Sequence, residues 1–463
     1  MPVLSVRLER HWAALTALGA IVLATVGFAR WEGGSTSIPT TSPAGGPVLQ
    51  AAFAQGADGT RYAAWTRQQG AVRVLEVATG QGARLRAAVP IELPGVGAVS
   101  ASDPRIAAAK DSALVAFHRS TAFDTSVMAL RVWRDGRVAG PFAVSTSPRT
   151  GLLLKVGVAK DGTGVIAWTD PGMGDEETSG LRDQLRAASV GVDGPRNADQ
   201  LVTDDAGTGG FSLSVSPDGR AALAWATAGR PAQPGVRLDK RLSIAEAPTG
   251  GAFGSPAALP GPDGAPAFGE FATVAYTRDG ALRAAWTEQV GAGQAATYAL
   301  VTATRSAGNF EDRLQLAAVA LPNSPYLVPL DGSELVGWER ARPGGYVPKD
   351  GAWLEIAAVA GDRVLHRGSV ESRNHDIGHY PGAPRLEAVE SGALAIWAAE
   401  DQIAYARCSR RHLCEEQHEV VSAGRGERLE LAGAGRRAIA WLEGRHATEF
   451  ELRVGQLMPQ NAP

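Results

Sequence analysis

One short stretch, SRNHDIGHYPGAP, concentrates residue types that hold a metal or touch a sugar: His375, Asp376, His379 and Tyr380. Imidazole and carboxylate are ordinary ligands for divalent metals, but outside a helix an i to i+4 spacing fixes no coordination geometry. A metal or catalytic site, a plain polar loop and a sugar or peptide contact through Tyr380 therefore all remain open. A second concentration runs from Thr169 to Gln184, TDPGMGDEETSGLRDQ, with Asp170, Asp175, Glu176, Glu177 and Asp183. It reads as a solvated acidic loop or as a site for a cation or a basic partner. The two cysteines, Cys408 and Cys414, lie in CSRRHLC. A disulfide is the first reading; a zinc site with His412 and His418, spaced Cys-x3-His-x-Cys-x3-His, is the sharper alternative, although Cys-x5-Cys is not a usual zinc spacing. There is no glycine-rich phosphate loop between a strand and a helix and no Gly-x-Ser-x-Gly elbow, so nucleophilic catalysis has no support in the sequence and no cofactor is called for.

The elements that must position these residues announce themselves as a repeat. A turn, about five residues and then Ala-Trp recur in ADGTRYAAWT (Trp65), KDGTGVIAWT (Trp168), PDGRAALAWA (Trp225), RDGALRAAWT (Trp286), LDGSELVGWE (Trp338), ESGALAIWAA (Trp397) and GAGRRAIAWL (Trp441), with Phe117 in the aromatic place of AKDSALVAFH. Asp58, Asp161, Asp218, Asp279 and Asp331 stand at the same offset before their aromatics. Asp-Gly supplies the left-handed conformations of a tight turn, and the small apolar residues alternate with the period of a strand. Another short strand precedes each turn, and two more follow each Trp. Four antiparallel strands per repeat is the pattern of a β-propeller blade. The chain is expected to be all-β, a single propeller of eight four-stranded blades, with seven as the alternative. Calcium loops of the Asp-x-Asp-x-Asp-Gly type are absent, so the repeated aspartates read as turn formers before ligands.

That ring would gather one more group of charges. Two positions past the aromatics stand Arg67, Arg119, Asp170, Glu288, Arg340 and Glu443. Strand ends carry charge by default, yet a mixed ring at the channel mouth could hold a polar ligand; Arg119, Asp170 and Arg340 are ligand-binding candidates alongside the histidine loop.

Composition limits the partners. Lys and Arg number 45 against 48 Asp and Glu, net charge −3 over 463 residues, so nucleic acid and acidic surfaces are not expected to bind through a general field. At the start, Arg7 and Arg10 precede the uncharged run Trp12 to Ala29, the layout of a signal peptide or signal anchor. Residues 1–30 are expected to be that hydrophobic helix, 31–35 a linker, and 36–463 the propeller, with 36–40 completing the last blade. The protein would be exported, either anchored in the inner membrane with the propeller on the extracytoplasmic, periplasmic side, or secreted after cleavage.

The phrase Asp-Gly-x5-Trp, with an outer strand reading Gly-x-Phe, resembles repeats in exported bacterial β-propellers of the sialidase-like or generic surface-repeat kind. The likeness spans nearly everything after the apolar run. It departs from the sialidase box Ser-x-Asp-x-Gly-x-x-Trp: in SPDGRAALAW, Gly219 follows Asp218 directly. The expected function is a binding or scaffold module taking a glycan or protein ligand, tethered to the membrane through its N-terminal helix alone. The alternative is a carbohydrate-active, sialidase-like hydrolase.

Overall fold

The computed structural model describes residues 36–37, 47–81, 84–146, 153–171, 182–229, 240–290, 297–306, 308–319, 324–340, 353–371, 385–389, 392–399, 402–411, 413–414, 417–421, 428–435, 438–446 and 449–456. Apart from one 3-10 turn, Pro262–Gly264, their regular structure is all strand. Strands consecutive in sequence pair antiparallel, and the recurring unit has four of them with one aromatic near the end of the second. The Phe117 set is Ser100–Ala108, Ser112–Ser120, Thr125–Trp133 and Val138–Ala143. The Trp286 set (Gly269–Tyr276, Leu282–Val290, Thr297–Ser306, Asn309–Val319), the Trp338 set (Tyr326–Leu330, Ser333–Arg340, Trp353–Ala360, Arg363–Glu371) and the Trp397 set (Arg385–Val389, Gly392–Ala399, Gln402–Cys408, Gln417–Val421) have the same order.

Two larger sheets are fusions of such sets. The long strand Gln200–Val215 ends the Trp168 set (Leu154–Val158, Gly164–Pro171, Arg182–Val190) and opens the Trp225 set (Ala221–Thr227, Leu242–Ala247, Ala257–Ala258). The Trp441 strands Arg428–Gly435, Ala438–His446 and Glu449–Gln456 meet the Trp65 strands Val48–Gln55, Arg61–Gln69 and Val72–Gln81 through a Val48–Phe450 pairing. Thr36 and Ser37 pair antiparallel with Val454 and Arg453.

The turns explain why the hairpins form. Gly59, Gly162, Gly219 and Gly280 hold φ of +84, +85, +91 and +85°, and each donates its N–H to the carbonyl three residues back. Of the Asp-Gly pair only the glycine is left-handed here; the aspartate instead closes the turn with its carboxylate. Asp58 accepts from the Thr60 N–H at 2.9 Å and hydroxyl at 2.8 Å, and Asp161 does the same for Thr163 at 2.8 and 2.9 Å. Asp58 and Asp161 are thus turn formers in an Asx arrangement, while Asp218 and Asp279 accept from the hydroxyls of Ser216 and Thr277 two residues before them.

Packing makes the sets into a β-propeller. Each aromatic lies against the preceding set: Phe117 with Tyr62 and Leu75, Trp168 with Leu114 and Ala116, Trp225 with Ala167 and Leu185, Trp286 with Ala224 and Ile244. Trp338 meets Ala285 and Leu300, Trp397 meets Leu335 and Ile356, Trp441 meets Leu394 and Tyr405, and Trp65 meets Ala440 and Leu442. The alanines are required by this arrangement, because one large ring per interface leaves room for little more than a methyl group beside it.

The first strands of consecutive sets neighbour one another round the axis, the Arg428–Gly435 strand returning to Val48–Gln55. Side chains stitch this innermost circle. Gln50 accepts from the Asp103 N–H at 2.7 Å, Arg105 donates to the Leu154 carbonyl at 3.3 Å, Ser212 accepts from the Val274 N–H at 3.2 Å and Thr273 donates to the Pro325 carbonyl at 2.6 Å. Inner-strand edges have backbone groups without a ladder partner, and these bonds satisfy them. Cys408 and Cys414 form a disulfide, as first read, and pack with Leu413 into the Trp397 cluster. Among the described residues no helix is long and apolar enough to cross a membrane; the expected N-terminal helix, residues 1–30, lies outside them.

Candidate active site

The charges two positions past the aromatics form local ion pairs. Arg67 meets Glu76 at 3.2 Å with both side chains buried, and Glu288 meets Arg313 at 3.0 Å. Asp170 meets Arg186 at 2.9 Å, and the same guanidinium reaches Asp199 at 2.8 Å. Arg119 is held by the Pro94 carbonyl at 2.6 Å, by Asp124 at 3.4 Å and by Ser126 at 3.5 Å. Arg340 ends its strand opposite Trp353, with its side chain outside the described atoms. The structure therefore does not gather Arg119 and Asp170 into one site; each is tied within its own set. The histidine loop, His375, Asp376, His379 and Tyr380, lies outside the described residues, as do 172–181 of the acidic loop and His412. Among the described residues no group of three or more His, Cys, Asp or Glu is placed to hold a metal.

A different group of ionisable residues occurs on the inner wall, on the first two strands of the Phe117 set and the first strand of the Trp168 set. A bulge between Ser102 and Arg105 breaks the register against Ser112–Ser120, and Asp103 takes φ +50° there. The bulge brings Asp103 beside Arg105, 2.6 Å from carboxylate to guanidinium. Ser102 is the cross-strand partner of His118, so His118 lies at the same level. Arg105 then bonds across to Leu154, the residue before Lys155. Lys155 keeps contact with water although protein surrounds it densely; its ammonium stands 5.9 Å from the centre of the Phe211 ring.

The electrostatics of this wall are unusual. Burial pushes the Asp103 carboxyl above its ordinary range, against the Arg105 cation that pulls it down. His118 is lowered to about 4, by burial first and then by Arg105, so it is neutral at physiological pH. Lys155 is lowered by burial and by Arg105, against a raising influence from Glu387. Glu387 belongs to the first strand of the Trp397 set, so groups distant in sequence sense one another across the axis. Among the described residues Asp103 Oδ2 and His118 Nε2 have no hydrogen-bond partner. Buried polar atoms are almost always paired, and perturbed ionisable groups gather at functional sites. Burial thus shifts the Asp103 carboxyl toward its protonated form, while the His118 imidazole is neutral at physiological pH.

None of these residues was among the sequence candidates. The available signal was compositional: SASDPRIAA and LLLKVGV place charges in inner strands where VLQAAFA has none.

No protein-family model matches the chain, and no curated protein matches it in sequence. Among solved structures it resembles the polysaccharide lyase Uly1 at 10% identity and TM-score 0.44, over 76% of this chain and 89% of that one. It resembles puromycin hydrolase at 17% identity and TM-score 0.42, over 89% of this chain and 61% of that one. An α-L-arabinanase of Penicillium chrysogenum, complexed with arabinobiose, matches at 12% identity and TM-score 0.35, over 71% of this chain and 97% of that one. Against these neighbours the expectation of a binding or scaffold module is corrected: the lyase and the arabinanase are carbohydrate-active enzymes, the alternative that the sequence left open. No residue role is carried over from them.

Proposed function

We propose that the protein is a carbohydrate-active enzyme whose proton transfers take place on the inner wall at Asp103 and His118. The observation that carries the reading is the pair of buried, unpartnered atoms, Asp103 Oδ2 and His118 Nε2, set beside Arg105 on a wall that water reaches at Lys155. In this reading the Asp103 carboxyl, which burial raises, gives its proton to the leaving glycosidic oxygen as the bond to the anomeric carbon breaks, and His118, neutral, takes a proton from the water that attacks that carbon. Arg105 orients the Asp103 carboxyl and adds positive potential where negative charge develops. Nothing about these side chains singles out sialidase chemistry. The test is cleavage of a panel of plant and algal polysaccharides by the full chain and by Asp103→Asn and His118→Gln. Both substitutions are expected to lower kcat by about 100-fold or more at unchanged melting temperature.

The architecture that accompanies this reading is a ring of eight blades, closed by residues 36–40 on the last. Eight aromatic-centred clusters, each shared by consecutive sets, and the pairing of Thr36 and Ser37 with Val454 and Arg453 support it. An exported protein held or released by residues 1–30 goes with it; mass analysis of the mature N-terminus tests that part, and a start at Arg30 means release.

A further inference from the structure

The geometry points to an anion-binding clamp on the inner wall, formed by Arg105 and Lys155, that takes a negatively charged group of a sugar, a uronate carboxylate or a sulfate ester. The inference rests on the enzyme reading for the sugar, but the cation pair stands apart from it. Arg105 spends its Nε on the Leu154 carbonyl and one terminal nitrogen on Asp103. A guanidinium has five N–H donors in a planar fork, so the remaining ones are left to a ligand, and about half of this side chain is exposed, at 48%. The Leu154 bond fixes that fork beside the backbone from which Lys155 projects.

Lys155 is the second arm. Among the described residues no carboxylate lies within salt-bridge distance of it, and the Phe211 ring at 5.9 Å, itself buried, supports the ammonium from one side. Two neighbouring cations repel one another, and the Lys155 ammonium is lowered by burial first and by Arg105 second. An anion between them relieves that repulsion and completes charge-assisted bonds to both. Glu387, which raises Lys155, limits the excess of positive charge to what one anionic group of a sugar balances.

The experiment is calorimetric titration of the full chain with polygalacturonate, dextran sulfate and neutral dextran, at low and at physiological salt. Binding of polygalacturonate alone identifies the carboxylate, of dextran sulfate alone the sulfate, and of both an unselective anion clamp. Lys155→Gln is expected to weaken that binding roughly tenfold or more, Arg105→Gln likewise, and Lys155→Arg to restore it to within about threefold. The inference is overturned if none of the three polymers binds, if neutral dextran binds as well as the acidic polymers, or if Lys155→Gln and Arg105→Gln leave acidic binding unchanged. Acidic polymers that bind but are not cleaved leave the clamp standing and count against the enzyme reading. Neutral polysaccharides cleaved without any acidic preference do the reverse.

Discussion

The indole N–H of Trp65 donates to the Glu76 carboxylate at 2.6 Å, directly across the strand pair, and Arg67 reaches the same oxygen at 3.2 Å. Elsewhere the polarity is exchanged. Trp168 and Trp441 stand opposite Arg186 and Arg453, which accept no hydrogen bond, and among the described residues their indole nitrogens have no partner. Trp286 finds Glu288 on its own strand at 3.1 Å. A polar residue stands across the strand pair from Trp65, Trp168, Trp225, Trp338 and Trp441, whereas Trp286, Trp397 and Phe117 face Val301, Ala404 and Met128, so whether an indole is satisfied depends on the local acid or base.

Glu76 is therefore the sensitive member of its trio. Glu76→Gln keeps an acceptor for Trp65 but strands the buried Arg67 cation, and removing one partner of a buried pair costs about 3 kcal/mol or more. Urea unfolding of the two proteins measures it; a change below about 0.5 kcal/mol, the scale of ordinary surface substitutions, means that the pair is not a structural one.

Two buried groups give opposite pH dependences. Burial raises Glu334 to about 7 in spite of Arg283 at 3.3 Å, so between the ordinary carboxyl range and 7 the folded state binds more protons than the unfolded one, and stability falls as pH rises through that window. His118, lowered to about 4, binds fewer protons when folded, so its contribution is lost as pH falls from the ordinary imidazole range toward 4. Each spans on the order of 3 kcal/mol, and the two largely cancel in the parent protein. In Glu334→Gln the falling contribution of Glu334 is removed, so stability should rise with pH more steeply between about 4 and 6.5 than in the parent protein. Denaturant midpoints at a series of pH values show this, and a flat profile in the variant contradicts the assignment.

The hairpins and their aromatics were legible because a turn and a strand are written in adjacent residues: Asp58 and Gly59 shape a turn whatever surrounds them, and Trp65 follows at a fixed offset. The Cys408–Cys414 bridge was legible for the same reason. The wall was not. Arg105, Lys155 and Phe211 come together only when three successive sets pack, and Glu387 acts on Lys155 only across the axis. Asp103 owes its place to a bulge at Asp-Pro, a local irregularity whose side-chain consequence depends on Gln50 of the preceding set. The charges at strand ends were visible in the sequence, but the ion pairs of Arg119 with Asp124 and of Asp170 with Arg186 were not, because each partner comes from a neighbouring strand or loop.

The disulfide closes a loop spanning six positions in sequence. On the chain-entropy model it stabilises by about 2 kcal/mol. Cys408→Ser with Cys414→Ser should lower stability by that order and leave strand content unchanged by far-ultraviolet circular dichroism. Thiol labelling of the native, unreduced protein should find no reactive cysteine, and labelling of both would refute the bridge.

The most direct test of the central claim is the release of new reducing ends from neutral and acidic polysaccharides by the full chain, beside the same assay on Asp103→Asn. The account predicts cleavage of at least one polymer by the parent protein and a fall of about 100-fold or more in Asp103→Asn, with the melting temperature retained. Failure of the parent protein to cleave any polymer, or full activity in Asp103→Asn, would contradict it.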